Sequence, residues 1–438
     1  MERYSEYKDS GVKWLGEIPS HWNVFPLKYV VSYNDEALLE SENKNKRIKY
    51  VEIGDVDGAF GIKKYTEYEF KDAPSRARRI TRRGDVIIST VRTYLRAVAP
   101  INDDGFIVST GFAVLRAKKI EKRFLAYYVM SSNFIDEVVR KSVGTSYPAI
   151  NANDLVSIDV VSPSLSEQVT IANYLDSVIA KIDEAIAQQQ KMIDLLNERK
   201  QIIINKAVTK GLDPKAKMKD SGIDWIGHIP EHWEISVFKH LFNTRTGITF
   251  TKEQLSESGA PVISYGQIHS KDNWGASINP ILIRHIPQSL TKGKDSAIAI
   301  KGDFLFADTS EDFEGCGNNV YVDTEEPVYA GYHTILAKCN NKECGQYLAY
   351  LFASSKWRGQ VRSMVNGVKV YSVTQTILND ALVILPPISE QKEIANYVTK
   401  KVVVINEAID RCKKRIKLLQ ERKQIIINDV ITGKVKVV

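Results

Sequence analysis

The sequence is poor in cysteine, and it contains no long apolar run and no metal-ligand spacing. Its four cysteines form no Cys-x-x-Cys pair, and no histidine spacing completes a zinc site: Cys316, Cys339, Cys344 and Cys412. We therefore expect no bound metal, and we expect Cys339 and Cys344 to be ordinary thiols in a reduced cytoplasm. No apolar run reaches the length of a membrane span, and we expect no signal peptide.

Motifs of several common enzyme classes are also missing. The Gly-Lys pairs at 293 and 433 are not followed by Ser or Thr, and neither His-Glu-x-x-His nor Gly-x-Ser-x-Gly occurs. The only Pro-Pro pair is followed by Ile388, not by the aromatic residue that a base-nitrogen methyltransferase needs. One alternative stays open, because Asp35 with Glu42 and Lys44 loosely resembles the carboxylate set of a nuclease. These absences favour a binding and scaffolding protein over an enzyme.

Composition and charge describe a folded protein with more than one domain. A chain of 438 residues is long for one core and suits about two to four domains. With 43% apolar and 26% charged residues, it has the composition of an ordinary globular protein. The net charge of +7 permits a nucleic-acid partner without establishing one.

The chain contains an internal repeat, in which the second half follows the same sequence pattern as the first. The string Glu198–Asn205, which reads Glu-Arg-Lys-Gln-Ile-Ile-Ile-Asn, returns unchanged as Glu421–Asn428, at an offset of 223 residues (421 − 198). Upstream, Leu165–Leu175 matches Ile388–Val398 at the same offset. A doubled chain can adopt a pseudo-twofold arrangement, and two similar modules suit a target that is itself split in two.

Two stretches without glycine or proline, 164–210 and 389–432, predict long helices. Ser166 is the expected N-cap of the first helix, with Glu167 in its first turn, and Gly211 is expected to end it. Apolar residues recur at coiled-coil spacing, at Ile171, Leu175, Val178, Ile182, Ile186, Ile193, Leu196 and Ile203, and again at Ile394, Tyr397, Val398, Val402, Ile405, Ile409, Ile416, Leu419 and Ile426. We therefore expect the two long helices to pair with each other along these apolar residues. Antiparallel pairing would place the two globules at opposite ends of a rod.

The segments before these helices predict two related mixed α/β globules. In the first, Val86–Thr90 and Phe106–Val108 are expected strands, and Phe124–Val139 has helical spacing. The openings Lys8–Trp22 and Lys219–Trp233 match each other, but the residues further on diverge. We interpret four tryptophans as packing anchors and the Gly-Asp pairs at 84 and 302 as turns: Trp14, Trp22, Trp225 and Trp233.

Basic residues cluster in the first globule and favour contact with phosphate. Five arginines lie within eight residues just before an expected strand, and a second group precedes them: Arg76, Arg78, Arg79, Arg82 and Arg83, then Lys44, Lys46, Arg47 and Lys49. One such run is usually a solvated face. Two runs in one module, close to Arg92, Tyr94 and Arg96, indicate binding to a nucleic-acid backbone.

These strings together resemble the specificity subunit of a type I restriction–modification system. Lys8–Trp22 and its echo resemble the opening of such subunits. Pro163–Ala172 and Pro386–Ala395, each with Pro-x-x-Ser-Glu-Gln, resemble the entries to the family's conserved helices, and the repeated Glu-Arg-Lys-Gln string resembles their far ends. The resemblance covers nearly the whole chain in the family's own order.

The resemblance implies a mixed α/β fold class (α+β) with a pseudo-twofold internal repeat. Two globular target recognition domains would be separated by two long antiparallel coiled-coil helices. The implied domains are 1–162 and 213–386 for recognition, 163–212 for the central helix that sets the spacer and docks partners, and 387–438 for the C-terminal helix that pairs with it.

The resemblance also implies a function without catalysis. Each recognition domain would read one half of a bipartite, asymmetric double-stranded DNA target. The helix pair would set the spacer and dock two modification (methyltransferase) subunits and, through them, two restriction subunits, with one copy of this chain per complex. The chain itself would need no cofactor, since S-adenosylmethionine, ATP and magnesium act on the partner subunits. Its expected location is cytoplasmic, at the nucleoid through DNA.

Motif stretches within the modules resemble two different classes of recognition domain, which favours an asymmetric target. Ala73–Arg79 and Gly84–Arg92 resemble one class, while Tyr265–His269, Ala307–Asp312 and Ala330–His333 resemble another. The candidate phosphate or guanine contacts are Arg76, Arg78, Arg79, Arg92 and Arg96. Further candidates in the motif loops are Thr90, Tyr94, Thr309, Ser310, Tyr332, His333, Lys369 and Tyr371. Turn capping or scaffold hydrogen bonding is the alternative for each, and we interpret Asp308 and Asp312 as loop-shaping carboxylates.

Two other functions stay open on the sequence alone. A nuclease using the Asp35 set would cut DNA by itself in the presence of magnesium. A coiled-coil assembly protein without a nucleic-acid role would bind DNA weakly, whereas a recognition subunit would bind it with a steep dependence on salt.

Overall fold

A computed structural model describes residues 2–57, 61–340, 345–365, 367 and 370–437 of the chain. The chain divides into two compact units. The first unit comprises Met1–Gln190 with Cys412–Val438, and the second comprises Lys191–Arg411. Each unit therefore holds one globule, the first part of its own long helix and the last part of the other long helix. The division of the chain into four functional domains stays a prediction.

The globule of the first unit is built on two four-stranded sheets. One sheet is antiparallel throughout, in the order Val98–Pro100, Val86–Ser89, Phe112–Ala117, Val31–Tyr33. The other has one parallel pair at its centre, in the order Thr66–Glu69, Arg47–Val51, Phe106–Ser109, Ala77–Ile80. Three two-stranded ladders complete it, Tyr7–Asp9 with Glu17–Pro19, Asn23–Pro26 with Asp159–Ser162, and Val56–Asp57 with Gly61–Ile62. The strands expected at Val86 and Phe106 are confirmed.

The helices of the first globule differ from the sequence prediction at one position. The stretch expected as one helix forms two, Lys122–Met130 and Ser132–Lys141, followed by the short helix Ala152–Val156. Ser131 separates the first two, and its hydroxyl accepts the backbone N–H of Phe134 as an N-cap. The apolar spacing continued through the break because both helices turn apolar side chains, including Phe124 and Val138, into one core.

The second globule repeats the two sheets with the same strand order. Its antiparallel sheet runs Asn319–Tyr321, Phe304–Ala307, Thr334–Cys339, Phe242–Thr246. Its mixed sheet runs Arg284–Ile286, Ala260–Ile263, Val328–Ala330, Ile298–Ala299, and the central pair is again the parallel one. Smaller ladders join Met218–Asp220 to His228–Pro230, Glu234–Val237 to Leu382–Leu385, and Thr309–Ser310 to Tyr371–Ser372. The duplication predicted from short strings therefore extends to the fold of each globule.

Among its described residues, the second globule has five α-helices: Phe238–Leu241, Tyr265–Ile268, Gly345–Ala353, Ser355–Ser363 and Gln375–Asp380. Short 3₁₀ turns complete both globules, including Ile53–Asp55 and Thr93–Leu95 in the first. The predicted Gly-Asp turns are confirmed, since Gly84 and Gly302 have φ of 92° and 97° and the neighbouring aspartates are buried.

The two long helices are Leu165–Lys210 and Ile388–Ile431, here called the central helix and the C-terminal helix. The central helix begins two residues earlier than expected, because Ser164, not Ser166, accepts the backbone N–H of Glu167. Most of the predicted seam is buried, while Val178, Leu196, Ile203, Ile416 and Leu419 are half-buried. Tyr397 was wrongly placed in the seam. Its side chain is exposed, and its buried neighbour Val398 fills that position.

The long helices pair in opposite directions within each unit. In the first unit, Lys423 Nζ donates to both oxygens of Asp183, at 2.7 and 2.9 Å, and Ile182 and Ile186 share a core cluster with Ile426. In the second unit, Lys200 Nζ donates to Asn406 Oδ1 at 3.2 Å, and Ile204 shares a cluster with Val398 and Val402. Residues near the start of one helix meet residues near the end of the other, which is the antiparallel arrangement.

A His-Trp pair holds the start of each long helix. In the first anchor (His21, Trp22 and Glu167), one oxygen of Glu167 accepts from Trp22 Nε1 at 3.1 Å and from Tyr4 Oη at 2.7 Å, and the other lies 3.1 Å from His21 Nε2. Trp22 is fully buried, as expected of a packing anchor. Burial and the hydrogen bond to Glu167 raise the pKa of Tyr4 well above its usual range.

The second anchor (His232, Trp233 and Glu390) repeats this contact. Glu390 Oε2 lies 3.0 Å from Trp233 Nε1 and 2.8 Å from His232 Nε2, and Trp233 is also fully buried. The repeated Ser-Glu-Gln string is thereby explained. Its glutamate fastens the globule, and its glutamine donates to the carbonyl of Pro163 or Pro386, at 2.9 and 2.8 Å.

Each anchor also touches the end of the opposing long helix through a glycine. Gly433 and Gly211 follow the two helices with φ of 75° and 73°, a region that disfavours other residues. A Cβ at Gly433 would collide with Pro19 and Trp22, and one at Gly211 would press on Trp233. Each anchor thus joins three parts of its unit, the opening of the globule, the start of one helix and the end of the other.

The part of the chain described by the structure contains no helix that is both long and apolar enough to cross a membrane. Within the same residues, no group of three or more His, Cys, Asp or Glu side chains is placed to hold a metal ion. Cys316, Cys339 and Cys412 are present as thiols, and Cys344 lies outside the described residues.

Removing either anchoring carboxylate should destabilise the protein. We expect Glu167→Ala and Glu390→Ala each to lower the free energy of unfolding by about 1–3 kcal/mol, because each leaves a buried indole N–H without an acceptor. Urea unfolding followed by tryptophan fluorescence measures the change. Glu198→Ala, on an exposed position of the central helix, is the control and should leave the midpoint unchanged. Wild-type midpoints for both anchor variants would contradict this account.

Candidate nucleic-acid interface

The predicted contacts of the first globule centre on a turn with unusual backbone geometry. Four described non-glycine residues have positive φ, namely Asn34, Arg92, Arg96 and His333, at 52° to 54°. Three of these four were predicted to contact DNA. For a residue with a Cβ, the left-handed region costs roughly 1–2 kcal/mol. Such strain persists only where the surroundings impose it, and it clusters at functional sites.

The surroundings hold this turn at four points. The turn Thr93–Leu95 lies between the two left-handed arginines. Thr93 is buried and donates its hydroxyl to Ser142 Oγ at 2.8 Å, and its backbone N–H reaches the carbonyl of Pro148 at 3.4 Å. Arg92 and Arg96 are held by side-chain contacts of their own, the first 4.9 Å above the ring of Tyr147 and the second in an ion pair with Asp136. The turn is therefore presented rigidly at the surface.

A cleft of about 450 Å³ lies beside the turn and brings two predicted arginines together. Arg76 and Arg92 line it with Tyr147, and Tyr50 and Glu52 form part of its wall. Arg76 and Arg92 are both exposed, so their guanidinium groups are accessible to a polyanion. The sequence predicted each arginine separately, and the fold places them at one opening.

Other residues of the first globule that were predicted to contact DNA also make contacts within the globule itself. Thr90 donates its hydroxyl to the carbonyl of Gly111 at 2.9 Å. Arg78 and Arg79 precede the strand Val86–Ser89 as predicted, but they also lie within a strand of their own, Ala77–Ile80, and Arg78 stacks 5.0 Å above Phe70. Contact with DNA at these three positions stays a prediction, as it does for Arg76, Arg92, Tyr94 and Arg96.

The predicted contacts of the second globule also gather in one place. Thr309–Ser310 pairs with Tyr371–Ser372, which brings Tyr371 beside the motif loop. His333 Nδ1 lies 3.1 Å from Asp308 Oδ1 and 3.4 Å from Thr309 Oγ1. Thr309, Ser310, Tyr371 and His333 are thus neighbours, Tyr332 adjoins His333, and Lys369 lies outside the described residues.

Aromatic rings surround this second site. Tyr265 lies 5.5 Å from the rings of both Tyr332 and His333. His269 Nε2 donates to the carbonyl of Thr309 at 2.8 Å, because a carbonyl only accepts, and its Nδ1 accepts from the Asn318 amide at 3.2 Å. The ring of His269 therefore carries its proton on Nε2. It positions the strand that bears Thr309.

The two predicted loop-shaping carboxylates are confirmed in that role. Asp312 Oδ1 accepts the backbone N–H of Gly315 at 2.6 Å, and Ser310 donates its hydroxyl to the Asp312 carbonyl at 2.6 Å. Asp308 accepts from Thr309 at 2.7 Å. The second site is therefore acidic and aromatic, whereas the first is basic.

Several residues of these sites were missed by the sequence reasoning. No sequence pattern marked Tyr147 and Asp136, because their partners Arg92 and Arg96 lie far away in sequence. Tyr265 and His269 did give a signal, since both lie in a motif quoted for the family resemblance.

The carboxylates of the nuclease alternative take part in separate contacts. Asp35 accepts from Ser32 at 2.6 Å and lies 3.7 Å from Arg116, while Glu42 pairs with Lys46 at 3.0 Å. Hydrogen bonds from Arg82 and Arg116 also hold the pKa of the neighbouring carboxyl, Glu36, below its usual value. Asp35 and Glu36 thus belong to a structural ion network around Arg116, while Glu42 pairs with Lys46.

Comparison with known proteins decides between the three functions that the sequence left open, a recognition subunit, a nuclease and an assembly protein. The family model for the type I restriction modification DNA specificity domain matches residues 19–193 and 230–417, one match for each globule with the first part of its long helix. The chain belongs to this family. It is a type I specificity subunit, the DNA-recognising and non-catalytic component of such a system.

Relatives of this specificity subunit span archaea and bacteria. A putative type I restriction enzyme MjaX specificity subunit from Methanocaldococcus jannaschii is 25% identical, over 98% of both chains. The EcoKI specificity subunit of Escherichia coli is 26% identical over 65% of this chain and 60% of its own. A solved chain from a study of complex assembly and conformational transition of the type I R-M system aligns with a TM-score of 0.65. It is 22% identical and covers 95% of this chain and 99% of that chain, which supports the same fold.

Glycine at a strained arginine should separate stability from DNA binding. We expect Arg92→Gly to leave the unfolding midpoint unchanged or raised, since glycine adopts positive φ without a Cβ clash. DNA binding should weaken, and the slope of log K against log salt should fall by about one, because one phosphate contact is lost. Fluorescence anisotropy over a salt series measures the slope.

The control for this test is Asn34→Gly, which changes another left-handed residue of the same globule, at φ of 54°. It should keep the wild-type salt slope. An Arg92→Gly protein with wild-type affinity and slope would remove Arg92 from the interface.

Proposed function

We propose that this specificity subunit reads a bipartite, asymmetric DNA target, with one half-site for each globule. The observation that carries the proposal is a pair of globules with the same two sheets in the same strand order but with different chemistry at the corresponding loops. Exposed arginines dominate the first site, while Tyr265, Tyr332 and His333 dominate the second. One scaffold with two different readers suits two unlike half-sites.

The helix pair is proposed to set the spacer between the half-sites. The central helix has 46 residues and the C-terminal helix has 44, and neither contains glycine or proline. A helix of such length spans roughly 65–70 Å at about 1.5 Å per residue. Both helices start at an anchor, so each globule is fastened to its own helix by the same contact. This repetition supports a ruler of defined length.

The same helices carry a second apolar face that supports docking of two identical partners. Leu195 and Ile202, seven residues apart on the central helix, are 50% and 57% exposed. Their equivalents at the repeat offset, Leu418 and Ile425, are 64% and 59% exposed. Residues seven apart lie on one helix face. The chain therefore offers the same short apolar stripe twice, which suits one modification subunit on each.

The remaining parts of the proposal concern the assembled complex. The chain works as one copy with two modification subunits and two restriction subunits on double-stranded DNA in the cytoplasm. S-adenosylmethionine, ATP and magnesium serve the partner subunits, where methylation and cleavage take place. The role of this chain is to choose the sequence and to hold its partners on it.

Methylome sequencing tests the proposal directly. The chain is expressed with its modification subunit in a host free of adenine methylation, and the DNA is sequenced for N6-methyladenine. We expect a split motif with two different half-sites, a fixed spacer and one methylated adenine on each strand. No new methylation from a complex shown to assemble would reject the proposed recognition. A palindromic motif would reject its asymmetry.

Charge placed on one stripe should remove one partner. We expect the double change Leu195→Asp and Ile202→Asp to reduce the bound modification subunits from two to one, because a carboxylate cannot be buried in an apolar interface without a partner. The change of Leu418 and Ile425 to Asp should do the same, and all four together should abolish docking. Mass photometry of the purified complex counts the subunits.

A matched control comes from the repeat itself. Ala187 is exposed on the central helix, and its equivalent in the C-terminal helix is already an aspartate, Asp410. Ala187→Asp should therefore keep two modification subunits. Two bound subunits on the fourfold variant would move the docking surface elsewhere.

A further inference from the structure

The turn that follows the strand Val86–Ser89 ends in two large exposed side chains. Tyr94 is 51% exposed and Leu95 is 47% exposed, and they are adjacent in the chain. The globule thus leaves about half of each side chain uncovered. Their apolar surface is available to a partner.

The turn holds these two side chains in a fixed direction. Left-handed residues lie on both sides of it, and buried Thr93 fastens its middle to Ser142 and Pro148. The ion pair from Arg96 to Asp136 connects its far end to the helix Ser132–Lys141. A flexible loop would lose conformational entropy on binding, whereas this turn is already ordered.

An apolar tip surrounded by arginines fits a polyanion whose interior is apolar. Arg92 and Arg96 flank the tip, and Arg76 lies across the cleft that Leu95 also lines. Arg96 is paired with Asp136 and Glu52 also lines the cleft, but Arg76 and Arg92 are exposed, and a protein partner with an apolar patch would not require these two cations beside it. Duplex DNA has phosphates on the outside and stacked bases within, which matches cations around an apolar point.

We propose that Leu95, supported by Tyr94, is a wedge that enters the base stack of the half-site read by the first globule. This inference rests on the proposed function of DNA recognition and adds a mechanism to it. Insertion of an apolar side chain partly unstacks one base step and kinks the duplex by about 20–90°. Specificity then includes the ease with which that step deforms, in addition to any hydrogen bonds to bases.

The second globule has an exposed aromatic residue at the corresponding position but in a different setting. Phe313 follows Phe304–Ala307 at the same distance as Leu95 follows Val86–Ser89, and it is 44% exposed. Its ring lies 5.6 Å from the ring of Tyr371, and its neighbours in the chain are Asp312 and Glu314. Carboxylates repel the phosphates that a wedge must pass between. We therefore assign the kink in the DNA to the half-site read by the first globule, and not to the other.

The test uses the full chain assembled with its modification subunits and duplexes that carry the methylome-defined target. 2-Aminopurine is placed in turn at each position of the first half-site other than the adenine that is methylated. Its fluorescence rises when the base is unstacked. We expect a several-fold rise at one step with the wild-type complex, and the loss of that rise with Leu95→Ser.

The control is Leu39→Ser, which makes the same change at an exposed leucine of the same globule, 67% exposed, away from the turn. It should keep the rise at that step. Because Leu95 is exposed, Leu95→Ser should still fold, and urea unfolding of the variant checks this. A wild-type unfolding midpoint shows that a lost signal does not come from misfolding.

The outcomes separate the wedge from the proposed function. Salt-dependent binding and methylation without unstacking at any step would overturn the wedge and leave DNA recognition standing. A rise that persists in Leu95→Ser would assign the unstacking to another residue and also overturn it. A wild-type complex that neither binds nor methylates DNA would overturn the proposed function and the wedge together.

Discussion

A single carboxylate at the start of each long helix determines how its globule is attached. Glu167 and Glu390 lie in first turns, where the helix dipole favours a negative charge, and each accepts the indole N–H of a fully buried tryptophan. A buried indole N–H needs an acceptor, so the tryptophan is stable in its buried position only when the glutamate at the start of the helix lies beside it. Together with the apolar core that the globule shares with the helix, this contact fixes how the globule is placed on it. The same contact occurs in both units, and Gly433 and Gly211 bring the end of the other helix against it.

The helical part of the fold could be predicted because its determinants are local. Apolar spacing and the absence of glycine and proline defined the end of the central helix at Lys210 and every other helix end to within two residues. Errors appeared where a local pattern permitted two answers. Ser164 and Ser166 can both cap a helix, and the earlier one is used because the preceding strand ends at Ser162. The break at Ser131 was hidden because both flanking helices pack on one core.

The recognition sites could be predicted only in part, because they depend on contacts between distant segments. The resemblance pointed to Arg92 and His333, and the basic clusters pointed to Arg96. The structure shows what no sequence pattern indicated, that all three residues have positive φ. Arginine and histidine are not the residues that a turn normally requires, so the geometry must come from Asp136, Tyr147 and other side chains far along the chain. The order of the strands was unpredictable for the same reason. Sheet pairing joins segments that nothing in the local sequence connects.

The position of the two identical strings has a consequence for how such a protein can change its target. Residues between Glu198–Asn205 and Glu421–Asn428 include all members of the second anchor and the glycine beside it, namely Gly211, His232, Trp233 and Glu390. Residues outside that interval include all the partners of the first. Genetic exchange within the repeated strings would therefore replace one reader together with its complete attachment. A new half-site could be acquired in one event, without any compensating mutation in the half that stays behind.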